Sequence, residues 1–217
     1  MLPQPPPMQA PPVLEPKSIK VFGIIHIVFG GLGLLMSLFS IVILIGIPFL
    51  LTWATETMAK DAKPGDPGTE AIMKMLNALK TRFADLTIPN WVHTITSIVV
   101  AILILLAGIA LVKKRKGAVA KSNRYVWCSI GAKVINLALF FAMGMAANDK
   151  YQEAVAGLSG AATRARGPGG LDMAQLQSMI SSGGAVLSIA LSLVYPILVL
   201  VMLNKPNVKE FLRQQGT

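Results

Sequence analysis

Apolar positions along the chain gather into four long runs, Val21–Leu51, Trp91–Val112, Tyr125–Ala147 and Gly184–Leu203, each almost free of charge. About 20 apolar residues in a helix cross a hydrocarbon core about 30 Å thick. Lipid offers no partner to an open backbone, so a spanning segment of this kind must be helical. The pattern therefore predicts an all-α chain, an integral membrane four-helix bundle with spans at about 20–51, 90–112, 125–147 and 184–203. The first run is too long for one upright span and should tilt or project beyond the bilayer. It is also far longer than the apolar core of a cleaved leader, and no small-residue cleavage site follows it, so it reads as a retained span.

The stretches between the runs carry weaker helical signals. In the first loop, Pro64, Gly65, Pro67 and Gly68 predict a turn, and Thr69 is placed to cap a helix. Ile72, Met75, Leu76, Leu79 and Phe83 then recur at helical spacing, an amphipathic segment of about 16 residues that Pro89 should end. The second loop opens as a helical continuation, "NDKYQEAVAGLSGAATRA", and breaks at "RGPGG". Asp172 and Gln175 then resemble a capping box. Residues 1–18 form a Pro-rich tail, read as disordered and favouring polyproline II. Residues 19–205 make the membrane domain, and 206–217 a short basic tail.

Small residues mark where helices can approach one another. Gly33 and Ser37 form one such step, Pro48 should kink the outer end of the first span, and Trp53 fits an interfacial position. Ala138, Ala142 and Ala146 make a ridge on the third span, and Gly184, Ser188 and Ser192 on the fourth.

Composition agrees: 53% of the 217 residues are hydrophobic, 14% charged, and the mean hydropathy is +0.61. The formal charge of +10 suggests nucleic acid until it is located along the chain. The two loops between spans one and two and between three and four are each neutral. The excess lies in the connection "KKRKGAVAKSNR", with Lys113, Lys114, Arg115, Lys116, Lys121 and Arg124, and in the two tails, with Lys133 inside the third run adding the last unit. Such asymmetry orients membrane proteins with the basic side in the cytoplasm. Both termini and the basic connection should therefore be cytoplasmic, the two loops exoplasmic, and the membrane a plasma (inner) membrane. The partners implied are the bilayer and its anionic headgroups. No aromatic residue interleaves with the bases, which excludes a nucleic-acid surface.

Catalytic chemistry has no foothold. There is no metalloprotease or nucleophile-elbow motif, no phosphate-binding glycine loop and no Cys/His cluster. Neither a cofactor nor a metal site is expected, and the chain reads as non-enzymatic. A lone cysteine, Cys128, excludes an internal disulfide. The four spans contain no Asp or Glu, which counts against proton-coupled transport. They do contain Lys133, with Asn136 one turn above it and with His26 and Tyr195 at comparable depth on other spans. Two readings stand. These four form a polar intramembrane site for a small ligand, anion or headgroup, or Lys133 snorkels to the surface while the others are satisfied internally.

In topology only, over residues 17 to 205, the plan resembles tetraspan membrane proteins, including uncharacterised bacterial ones. The second loop lacks the cysteine motif of animal tetraspanins, and the first lacks the paired cysteines of claudins. The expected role is self-assembly or association with other membrane proteins. The alternative is a small channel or transporter built around Lys133.

Overall fold

The computed structural model describes residues 16–61, 66–163 and 191–215, and its elements are all helices among these residues. They are α1 (Lys17–Asp61), α2 (Pro67–Asp85), α3 (Thr87–Val112), α4 (Ala118–Leu139), α5 (Met145–Thr163), α6 (Leu191–Leu203) and α7 (Pro206–Gln215). A single π turn, Phe140–Gly144, joins α4 to α5. The Pro-rich tail before residue 16, the "RGPGG" break, the Asp172–Gln175 box, and Gly184 and Ser188 lie outside the described residues.

Among the described residues three helices are long and apolar enough to cross a membrane: α1, α3 and the joined α4–α5. The pair α6 and α7, bent by 67° at their junction, makes a fourth if taken together. Large apolar side chains are exposed along these helices, with Leu35, Met36 and Phe49 at 64%, 66% and 70% on α1. A contiguous apolar surface of this size suits lipid rather than water. The fold is thus compatible with an integral membrane protein.

The helices differ from the sequence expectations in ways that backbone chemistry explains. Helix α1 has 45 residues, about 67 Å at ~1.5 Å per residue, and so extends well past a single bilayer core. Pro48 lies inside it, and α1 is one element through that position. Helix α2 begins earlier than Thr69. Asp66 is its N-cap, accepting from the Gly68 and Thr69 amides at 3.3 Å, and Pro67 enters the first turn, where its missing N–H costs nothing. The Thr69 hydroxyl and those amides hold the Asp66 carboxyl below its ordinary value. The cap is therefore fully formed above the usual carboxylate range and is lost as pH falls through that lowered value. Pro89 does not end α2; it sits in the first turn of α3, another place that tolerates proline. The basic connection is also shorter than it looks. Only Lys113–Gly117 form the turn, with Lys114 at φ 49° and Gly117 at φ 86°, while Lys121 and Arg124 lie on α4. The C-terminal tail, read from the sequence only as basic, is the helix α7, whose Val208, Phe211 and Leu212 are buried.

Packing starts from the crossing of α1 over α3. A Cβ added to Gly30 would lie 2.8–2.9 Å from the side chain and backbone of Leu105, and one added to Gly108 would meet His26 and Gly23 at the same distances. Gly33 repeats the contact against Ala101 at 3.1 Å, and Ser37, buried, donates to the Gly33 carbonyl at 2.8 Å. The Gly33–Ser37 step thus belongs to a longer glycine seam that includes Gly23 and Gly30. Below it, Ile19, Leu111, Val126, Val199 and Leu203 join the α7 residues in a core at the basic end. At the other end α2 packs against α1 and α5, with Lys150 bridging to Asp85 at 3.2 Å.

Gly30→Ala should lower thermal stability in detergent by about 1–3 kcal/mol, because the Leu105 backbone cannot yield. Gly31→Ala, whose added Cβ meets nothing within 4 Å, should be neutral or slightly stabilising. Equal effects of the two would refute the seam.

Candidate functional site

Helix α6 carries Pro196, which is buried and has no N–H to give to the carbonyl four residues earlier. That carbonyl belongs to Ser192. The Lys133 ammonium, reaching across from α4, donates to it at 2.5 Å. A lysine in an apolar helix is thereby matched to the backbone acceptor that a proline in the facing helix cannot serve. Asn136, one turn from Lys133, donates to Thr96 at 3.4 Å, and Thr96 is the tenth residue of the 26-residue α3. Lys133 therefore lies well away from the ends of the apolar helices, and its described hydrogen bond runs to α6.

The half-buried ammonium borders a cavity of about 460 Å³ between α1, α3, α4 and α6. Ser37, Ser40, Thr94, Ser97, Ser129 and Tyr195 contribute hydroxyl-bearing walls, and Phe29, Ile104 and Pro196 apolar ones. No Asp or Glu is among the described residues lining it. Its volume is typical of small-ligand sites, which run from about 300 to 1,000 Å³. The ammonium has three N–H groups, so one bond to Ser192 leaves two for an occupant.

His26 and Tyr195 come together as the sequence suggested, sharing a hydrogen bond of 2.7 Å between Nδ1 and the phenol oxygen. The Tyr125 ring stands 5.5 Å from His26, centroid to centroid, and Phe29 stands 5.0 Å from Tyr195. Tyr125 and Ser129, hydrogen-bonded to each other, complete the cluster on α4. The imidazole is fully buried and its Nε2 has no partner among the described residues. In either tautomer one polar valence of this ring is unmet inside the bundle.

Asn136 is not part of this group. It faces a second cavity of about 450 Å³ with Arg82, Asn90, Phe140, Asn148 and Asp149, and its buried Oδ1 has no partner among the described residues. The π turn Phe140–Gly144 forms part of this wall; such turns recur at functional sites. Arg82 donates to Asn148 at 3.3 Å and lies over the Tyr151 ring, while its buried Nε has no partner among the described residues. His93 lines both cavities. The proposed quartet therefore divides: Lys133 and Tyr195 share one cavity, His26 supports it through Tyr195, and Asn136 belongs to its neighbour.

Of the residues marked for helix packing, Gly33 and Ser37 face α3, Ser192 is exposed and borders the Lys133 cavity, and Ala138, Ala142 and Ala146 are exposed. The π turn falls within that alanine series and breaks its strict four-residue register. Sequence reasoning missed Tyr125, Ser129, His93 and Pro196. The proline four residues after Ser192 was the available signal. Among the described residues no three His, Cys, Asp or Glu side chains gather as a metal site would require.

Lys133→Met should cost about 1–3 kcal/mol, the typical penalty for leaving a buried polar group unserved. Adding Pro196→Ala supplies an intrahelical N–H to the same carbonyl and should recover much of that loss in a double-mutant cycle of thermal stabilities. Strict additivity would show that the carbonyl is not what holds the lysine.

Comparison with family models, with curated proteins and with solved structures finds no match to this chain.

Proposed function

We propose that this chain is a non-enzymatic, four-span protein of the plasma (inner) membrane that binds a small anion in the Lys133 cavity, as the site of a small transporter or channel. The observation that carries the reading is the Lys133 ammonium, held away from the helix ends by the Ser192 carbonyl beside a hydroxyl-lined cavity with no carboxylate among its described lining. A cation in a low-dielectric cavity costs free energy unless an opposite charge accompanies it. An anion supplies that charge. The adjoining cavity, which His93 also lines, faces the end where α2 and α5 pack and offers a polar approach there.

Orientation follows the charge. Lys113, Lys114, Arg115, Lys116, Lys121 and Arg124 gather where α3 turns into α4, and Lys205, Lys209 and Arg213 lie at the α6–α7 end. We take this end, with both termini, as cytoplasmic. The four spans form a helical bundle, and its basic end meets anionic headgroups.

A second reading, assembly with itself or with other membrane proteins, is favoured by the exposed Ala138, Ala142 and Ala146 and by Gly131, beside which nothing lies within 4 Å. Assembly and an anion site are compatible.

Two measurements test the proposal. In a Cys128→Ala background, Lys74→Cys and Lys150→Cys should react with an impermeant maleimide on intact cells, and Lys116→Cys only after permeabilisation. The opposite pattern would reverse the orientation. With purified protein, a panel of chloride, nitrate, acetate and benzoate should contain at least one anion that raises the unfolding temperature of the wild type but not of Lys133→Met. A panel that moves both proteins alike would exclude the anion site.

A further inference from the structure

We infer that the basic end of the bundle also holds a discrete phosphate site, built by Lys116, Lys209 and Arg213 around a cavity of about 360 Å³ that is separate from the Lys133 cavity. The three cations come from two places in the chain, the turn before α4 and the helix α7, and one concavity collects them. Charge that served only to orient the protein would need no such convergence, since topology depends on the number of bases and not on their geometry.

The cavity is preformed. Asn123 on α4 and Asn204 at the α6–α7 junction exchange amide hydrogen bonds of 3.2 and 2.9 Å, and Asn204 also donates to the Leu200 carbonyl at 2.7 Å. These contacts lock the 67° bend that lays α7 beneath the bundle with Val208, Phe211 and Leu212 in the core. Lys209 and Arg213 are thereby presented toward Lys116.

The ligand chemistry follows from the donors. Val119 and Ala120 line the same cavity in the first turn of α4, and the N-cap, Gly117, provides no side-chain acceptor for their N–H groups. Three convergent cations call for a compact group with several oxygens and more than one negative charge, which a phosphomonoester supplies and a carboxylate does not. Glu210 opposes the charge only in part. Its carboxylate accepts from Arg213 at 3.1 Å and from Gln214 at 3.3 Å, which leaves most of the guanidinium N–H groups available. The cavity adjoins the ends of α4 and α6, at headgroup height in the proposed orientation, so the phosphate of an anionic lipid is the occupant we assign.

The test uses the full chain in mild detergent and three probes: dioctanoyl phosphatidic acid, dioctanoyl phosphatidylcholine and glycerol 3-phosphate. Calorimetry should give saturable binding of phosphatidic acid, weakened at least about tenfold by Lys116→Gln/Lys209→Gln/Arg213→Gln. The control Lys17→Gln/Lys20→Gln/Lys121→Gln removes equal charge from the same end outside the cavity and should change affinity no more than about twofold. Equal weakening in both triples would reduce the site to diffuse attraction and overturn the proposal, as would binding of phosphatidylcholine equal to that of phosphatidic acid. Glycerol 3-phosphate binding as tightly as the lipid would keep the phosphate site but assign it to a soluble ligand. Unfolding temperatures of both triples without ligand should match the wild type, because the substituted side chains lie at the surface. None of these variants touches the Lys133 cavity, so this inference and the anion-site reading can fail separately.

Discussion

A single ammonium in the middle of an apolar helix must find an acceptor, and in this protein the acceptor is the Ser192 carbonyl, which Pro196 cannot serve. The pairing is between two local faults. A lysine unsuited to a hydrocarbon span and a proline unsuited to a helix interior lie on facing helices, and one contact answers both. It also ties α4 to α6 at a fixed height. The same fixed height keeps Tyr195, one turn further along α6, within reach of His26 on α1.

The pairing needs a close bundle, and the glycine seam between α1 and α3 provides it. Gly30 lies against the backbone of Leu105, and Gly108 lies under His26. Where the side chains vanish, the helices touch; one turn away the polar groups Ser37, Thr94 and Ser97 border the cavity. Close contact on one stretch and open space on the next thus come from the same two helices. The basic end is closed differently, by apolar packing of α7 against the neighbouring helices.

Much of this could be read from the chain, and the misses share a cause. The first three apolar runs, the helical first loop and the His26–Tyr195 pair were legible because position along a helix follows from residue counting at ~1.5 Å per residue. Rotation about each helix axis was not legible, and rotation decides which side chains meet. Asn136 lies one turn from Lys133 yet pairs with Thr96 in a neighbouring cavity. The boundaries failed where prolines were read only as breakers. Pro67 and Pro89 sit in first turns, where a missing N–H is harmless. Helix α7 was hidden because its apolar face has only Val208, Phe211 and Leu212 within a strongly polar stretch.

The central claim is that Lys133 points across the bundle and not along it. Solid-state NMR on protein in phospholipid bilayers, with ¹⁵N at Lys133 Nζ and ¹³C at the Ser192 carbonyl, measures this through dipolar couplings. The account predicts a nitrogen-to-carbonyl-carbon distance below about 4 Å, as a direct hydrogen bond requires, and no dephasing of the nitrogen by lipid ³¹P. Strong dephasing by ³¹P with no carbonyl coupling would show a lysine that snorkels to the headgroups, and the account would be wrong.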